Sequence, residues 1–176
     1  MSNPFPFQGD GFVLRAPQKA DARSLADIEF DPNVKRYLSL PELTKDRWVE
    51  AFDPETVTAL CVEARGKVAG RASISRYRQG RKGYAELSIV IGRPWWGSGL
   101  GTRVGQSLVE LAFTCFHAKG IVGVVHPEHR ASIALLVSLG FRRRGAVVNP
   151  PKEWQSGHLI YRLPNRGACV IPASAE

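Results

Sequence analysis

The first apolar run, Gly11 to Ala16 (GFVLRA), is short enough to predict a strand. The polar stretch ending at Asp21 leads into a helix with Leu25 and Ile28 on one face, which Asp31-Pro32 is expected to stop. A second helix is expected to begin at Thr44, with Asp46 in its first turn and Trp48, Val49 and Phe52 toward the core, ending before Asp53-Pro54. Two β-rich runs follow, Val57 to Glu63 and Val68 to Tyr77, joined by Arg65-Gly66-Lys67, and a third, Tyr84 to Ile91, comes after the basic turn 78–83. Together they predict an antiparallel meander. In the third run, strand alternation sets Leu87, Ile89 and Ile91 on one face and Glu86, Ser88 and Val90 on the other.

The longest helix is expected from Gly99 to Ala118, because Leu100, Val104, Leu108, Leu111 and Cys115 recur at helical spacing, with Lys119-Gly120 as its end. Ile121 to Val125 reads as a short buried strand. A helix from His129 to Leu139 would bury Ile133, Leu136 and Leu139, with Gly140 at its C-cap, Phe141 opening another strand, and a last strand at about His158 to Arg162. The order β-α-α-β-β-β-α-β-α-β-β predicts an α/β or α+β fold: a sheet of about seven strands flanked by about four helices. The chain reads as one domain over 1–176, with its core at about 11–163 and a flexible tail from Pro164.

Composition adds limits rather than detail. The 176 residues, 44% hydrophobic and 23% charged, suit a globular domain that needs no disulfide or structural metal. No run approaches the about 20 apolar residues of a membrane span, and Met1 to Asp10 lacks the order of a signal peptide, so a cytoplasmic protein without a membrane partner is expected. Cys61, Cys115 and Cys169 are odd in number and widely spaced, as befits reduced packing residues. With 24 Lys and Arg against 16 Asp and Glu, the charge of +8 favours an acidic partner: nucleic acid, a membrane surface or an anionic small molecule.

Candidate chemistry concentrates between Ile89 and Arg103. Here a strand passes to the longest helix through Trp96-Gly97-Ser98-Gly99-Leu100-Gly101-Thr102, and glycines at such a junction leave N–H groups open to an anion. Gly92 to Gly97 fits GxxxxG but is followed by Ser98 where a P-loop needs Lys, and Gly99 and Gly101 are followed by Val104 where GxGxxG needs Gly. Arg103 in the first turn opposes the helix dipole unless an anion occupies that end, and Arg93 lies on the approach. The alternative is a turn whose glycines only let strand and helix pack closely.

Three segments in order, Ala85-Glu86 to Gly101, Val125-His126-Pro127-Glu128-His129-Arg130-Ala131-Ser132, and Leu139-Gly140-Phe141, resemble the GNAT family of N-acetyltransferases, in particular its ribosomal-protein, RimJ/RimL-like branch. Trp96 to Gly101 fills the family's Q/R-x-x-G-x-G/A signature with Trp in the first place, and His129-Arg130-Ala131-Ser132 fills N-x-x-S/A with His for Asn. The resemblance spans about residues 11–163 and implies a mixed, mainly antiparallel sheet whose central strands splay.

It also implies transfer of an acetyl group from acetyl-CoA to a primary amine, on a protein N-terminus or a small molecule, by direct attack in a ternary complex without a metal. By resemblance, the coenzyme pyrophosphate would lie on Trp96, Gly97, Ser98, Gly99, Leu100, Gly101, Thr102 and Arg103, and the pantetheine arm along Ile89, Val90 and Ile91. An amine attacks only when neutral, so a base is needed; Glu86 is the candidate, its alternative being a half-exposed carboxylate paired with the basic turn. The tyrosine many relatives offer to the leaving thiolate is replaced by Leu136, which leaves Ser132, whose alternative use is as a helix-capping hydroxyl. His129 stands where the family's Asn holds the pantetheine arm, and His126 and His129 lack an evident third ligand for zinc.

Arg76, Arg78, Arg81, Lys82 and Arg142-Arg143-Arg144 would suit the nucleotide 3'-phosphate, an acidic acceptor or an RNA-associated target, or simply be solvated. Trp48, Trp95, Trp96 and Trp154 read as packing residues, with Trp95 the best placed to touch substrate. The acceptor-facing segments, about Phe30 to Leu43 and Asn149 to Gly157, carry no motif. A non-catalytic acyl-CoA sensor on the same fold is the competing class; nucleic acid is disfavoured for want of a binding motif, and the resemblance allows a homodimer.

Overall fold

The computed structural model describes residues 4–38, 43–55, 59–77, 82–147 and 157–165. Strands β1 (Phe7–Gly9), β2 (Phe12–Arg15), β3 (Leu60–Ala64), β4 (Lys67–Arg76), β5 (Tyr84–Ile91), β6 (Gly120–Val125), β7 (Arg142–Ala146) and β8 (Leu159–Pro164) form an 8-stranded sheet in the order β1-β2-β3-β4-β5-β6-β8-β7. Helices α1 (Ala22–Glu29), α2 (Pro32–Lys35), α3 (Lys45–Ala51), α4 (Leu100–Thr114) and α5 (Arg130–Ser138) cover its faces. The meander β3-β4-β5 is antiparallel, as the sequence predicts, and β5 has the expected bounds. Among the described strands, only β5 and β6 run parallel.

Several boundaries differ from expectation. β1 is an additional strand, paired to β2 at the sheet edge, and raises the strand number from about seven. Pro32, expected only to stop a helix, is the first residue of α2, where its missing N–H is harmless and the Asp31 side chain caps Asn33 N–H. The longest helix ends at Thr114, not at Ala118. Phe116 and Ala118 N–H groups donate back to Leu111 and Ala112 carbonyls, and His117 at φ 49 turns the chain, so Lys119-Gly120 leads into β6. His129 and Leu139 are the caps of α5 rather than its ends, and the last strand runs to Pro164. Val57, Arg78, Arg81, Trp154, Cys169, residues 39–42 and 149–156 of the acceptor-facing segments, and the tail from 166 lie outside the described residues.

The two faces of the sheet are chemically different. On one, α4 buries Leu100, Val104, Leu108 and Leu111 against Phe12, Leu14, Val62 and Ala72, with Ile89 and Ile91 packed alongside. The Ile133, Leu136 and Leu139 side chains of α5 join the cluster of Ile121, Val125, Phe141 and Tyr161. On the other face, α1 and α3 build a smaller core from Ala22, Leu25 and Phe52 with Trp48, Val49 and Val68. Ion pairs supplement it there: Arg71 on β4 binds the buried Glu29 of α1. Arg15 holds Asp21 and Glu63, each at 2.7 Å, and its guanidinium keeps the Asp21 carboxyl below the usual carboxylate range. Since Arg71 opposes Val90 and Ser75 opposes Glu86 in the β4–β5 register, Glu86 lies on this more polar face.

Candidate active site

The site grows from a pairing defect. β5 pairs with β6 only from Tyr84 to Glu86, opposite Gly120 to Val122, and beyond Glu86 the two strands separate. The edge of β5 from Leu87 to Ile91 that faces β6 therefore has no strand partner among the described residues, leaving backbone donors and acceptors for an extended ligand apart from the Ile91 carbonyl, which the Trp96 indole engages. A cavity of about 1010 Å³ occupies this gap and continues to the glycine turn. Of the residues expected to bind coenzyme or catalyse transfer, all but Ser98 and Arg103 line it.

The glycine turn is built by left-handed backbone at Gly97 (φ 73) and Gly99 (φ 76), the latter being the N-cap of α4. Among the described residues, the N–H groups of Gly97, Gly99 and Gly101 have no backbone carbonyl partner. With 15 residues of helix behind them, they form a concave surface suited to an anion. The Ser98 hydroxyl donates to the Trp95 carbonyl at 2.7 Å, and the Trp96 indole N–H donates to the Ile91 carbonyl at 2.7 Å. Trp95 packs on the α4-side core while also lining the cavity, and Trp96 stays half exposed. Arg103 does not reach the cavity; it donates to the carbonyls of Asp10 and Ser98.

Glu86 stands where the strands part, and among the described residues it has no ion-pair partner. Burial pushes its carboxyl above the usual range, so it is a better proton acceptor than an exposed glutamate. Its charge also helps burial raise the Tyr77 phenol, with Arg162 acting the other way.

At the opposite wall His129 caps α5: its Nδ1 accepts the Ser132 N–H at 3.3 Å. The cap is thus an imidazole and not the Ser132 hydroxyl, which lines the cavity and has no hydrogen-bond partner among the described residues. Burial pushes His129 below the ordinary histidine value, and the charges of Arg36 and His126 act in the same direction. Leu136 also lines the cavity and rests on Gly123 of β6, where a Cβ would come within 2.6 Å of its Cδ2.

Sequence reasoning overlooked part of the cavity wall. Tyr37 stacks on His129 with ring centroids 4.0 Å apart, His126 lies 5.6 Å from Tyr37, and His158 meets His126 edge-on at 5.4 Å. The arginines at the cavity are Arg36, Arg71 and Arg130. Arg76, Lys82 and Arg142 to Arg144, singled out by charge, do not line it, and the last three lie exposed on β7 at the sheet edge. Among the described residues no group of three or more His, Cys, Asp or Glu is arranged to hold a metal ion, and burial pushes the Cys61 thiol up to about 12.

The chain belongs to the GNAT acetyltransferase family: residues 12–142 match the model described as Acetyltransferase (GNAT) domain. It is 28% identical over 158 residues to the uncharacterized N-acetyltransferase p20 of Bacillus licheniformis, covering 84% of this chain and 87% of that one. Its fold is similar to that of an acetyltransferase from Agrobacterium tumefaciens str. C58 (TM-score 0.74, 20% identity, 94% of this chain and 96% of that one). It is similar also to Mycobacterium smegmatis RimJ in complex with CoA-disulfide (TM-score 0.74, 19% identity, 87% and 81%).

Proposed function

We propose that this chain transfers an acetyl group from acetyl-CoA to a primary amine, on a protein N-terminus or a small molecule, and that it belongs with the RimJ/RimL-like branch. The observation that carries the reading is Glu86: a half-buried carboxylate without an ion-pair partner among the described residues, placed where β5 and β6 separate. The coenzyme-bound form of RimJ, whose fold is similar, supports coenzyme A as the ligand of the cavity.

Acetyl-CoA supplies an activated acyl thioester. Gly97, Gly99 and Gly101 bind its pyrophosphate through their N–H groups, and the unpaired edge of β5 at Ile89 to Ile91 orients the arm. Glu86 takes a proton from the incoming ammonium, directly or through water, so that nitrogen attacks the acyl carbon as the carbon–sulfur bond breaks. Ser132 donates a hydrogen bond to the sulfur as it gains charge, and the amide nitrogen loses its second proton to solvent.

The second reading is an acyl-CoA sensor, favoured by Leu136, which presents an apolar side chain at the cavity where many relatives carry the tyrosine acid. Incubation with acetyl-CoA and a panel of amines, followed by thiol release and mass spectrometry of the amide, separates the two. Coenzyme A release with at least one amine is expected. Tight acetyl-CoA binding with no release across the panel supports the sensor.

A further inference from the structure

We infer that Tyr37 is a positioning residue: by stacking on His129 it fixes the plane of that imidazole, whose Nε2–H tautomer the Ser132 N–H sets, and ties residues 36–38 after α2 to the N-terminus of α5 at the cavity. The inference rests on the reading above in one respect, that the chain acts on an amine whose KM the test reads.

Two contacts bind the His129 ring. Its Nδ1 accepts the Ser132 N–H, so the lone pair is on Nδ1 and, in the neutral ring, the proton is on Nε2. One ring face is covered by Tyr37, at 4.0 Å between centroids and 27° between planes. Tyr37 in turn is anchored to α2, because its N–H donates to the carbonyl of Val34, a buried residue of that helix. A short helix, a tyrosine and the cap of α5 are thus linked in one chain of contacts along the cavity wall.

Burial disfavours protonation of the imidazole, the charges of Arg36 and His126 act in the same direction, and a backbone hydrogen bond acts against them. From the α2 side come Arg36, whose guanidinium lies 4.7 Å over the Tyr37 ring, and the Tyr37 phenol itself. From the end of β6 comes His126, with exposed Glu128 next in the turn; α5 contributes Arg130, and His158 stands behind His126. Among the described residues no carboxylate bonds to His129. In its neutral form the ring has one donor, Nε2–H, and keeps the cap that a second proton on Nδ1 would destroy.

The test compares the whole wild-type chain with Tyr37→Phe and Tyr37→Ala. Imidazole nitrogen NMR across pH reads the His129 tautomer and titration, calorimetry reads acetyl-CoA affinity, and steady-state kinetics uses an amine from the panel. Tyr37→Phe is expected to behave as wild type. Tyr37→Ala is expected to raise the pH at which His129 titrates, to leave acetyl-CoA affinity within about twofold, and to raise KM for the amine about tenfold with a smaller change in kcat. An unchanged His129 titration in Tyr37→Ala, or a parallel loss of acetyl-CoA affinity, overturns the inference. If Tyr37→Ala does not fold, ring-to-ring NOEs decide: they are expected in wild type and Tyr37→Phe, and their absence overturns it. A wild type that turns over no amine, with the His129 titration still shifted in Tyr37→Ala, refutes the acceptor reading while supporting this one.

Discussion

Arg103 donates from Nη1 to the Ser98 carbonyl at 3.1 Å, so the helix that begins at the glycine turn sends back a side chain to close that turn. Its Nε also donates to the Asp10 carbonyl at 3.0 Å, tying the turn to the β1–β2 connection. Those two carbonyls, with the Asp10 carboxylate 3.8 Å from Nε, compensate for a cation near the positive end of the α4 dipole. Arg103→Met is expected to lower stability by about 1 kcal/mol and to weaken acetyl-CoA binding by loosening the turn. Thermal unfolding and calorimetry on one variant check this; weaker binding with unchanged unfolding would instead place Arg103 on the phosphate.

Glu86→Gln is expected to reduce turnover on the order of 10²-fold while sparing acetyl-CoA affinity, because the amide keeps the shape but accepts no proton. The same variant carries a stability signature. Burial raises the Glu86 pKa in the folded chain, so its contribution is full below the unfolded carboxylate value and is lost as pH rises through the folded one. At neutral pH the glutamine variant is expected to melt higher than wild type, and in acid the difference should vanish. Equal melting at neutral pH would mean that Glu86 is well solvated.

For Ser132 and His129, the structure separates capping from chemistry. Ser132→Ala is expected to leave stability nearly unchanged, since His129 provides the cap, and to lower kcat if the hydroxyl serves the departing sulfur. His129→Ala is expected to cost about 1 kcal/mol. The lowered His129 pKa adds a pH dependence: its contribution is present above the ordinary histidine value and is lost as pH falls through the lower folded value. Unfolding measured from pH 5 to 8 should show a loss on the acid side that His129→Ala lacks.

Gly123→Ala tests the packing that replaces the missing tyrosine. The new methyl would meet Leu136 Cδ2 at 2.6 Å and drive that side chain toward the cavity, at a cost of about 1 kcal/mol and with weaker acetyl-CoA binding. Adding Leu136→Ala should restore binding, a non-additivity readable in a double-mutant cycle. Additive losses would show that the two residues do not compete for the same space.

What the sequence made legible was local. Alternation from Tyr84 to Ile91 located β5 and the face of Glu86, and the stripe from Leu100 to Leu111 located α4, because each pattern repeats over many residues of one element. β1 has only three residues and, among the described strands, pairs only with β2, too little for periodicity to register. Pro32 was ambiguous because proline both ends one helix and begins another. The stack of Tyr37 on His129 and the edge contact of His126 with His158 join residues far apart in sequence, and no local pattern encodes them. The contacts of Arg103 are hidden for a related reason: its acceptors include Asp10, brought near only by the sheet.

The central claim, that acetyl-CoA binds at the glycine turn, is tested most directly at Gly101. Unlike Gly97 and Gly99 it does not have left-handed backbone, and a Cβ there would meet Ile91 at 3.8 Å and Leu135 at 4.0 Å, ordinary contacts that let a larger side chain fold. Calorimetric titration of acetyl-CoA into the wild type and Gly101→Val should therefore show binding in the first and at least about a tenfold loss in a folded second, where the side chain obstructs the pyrophosphate. Equal affinity in the two proteins, with unfolding curves that match, would contradict the account.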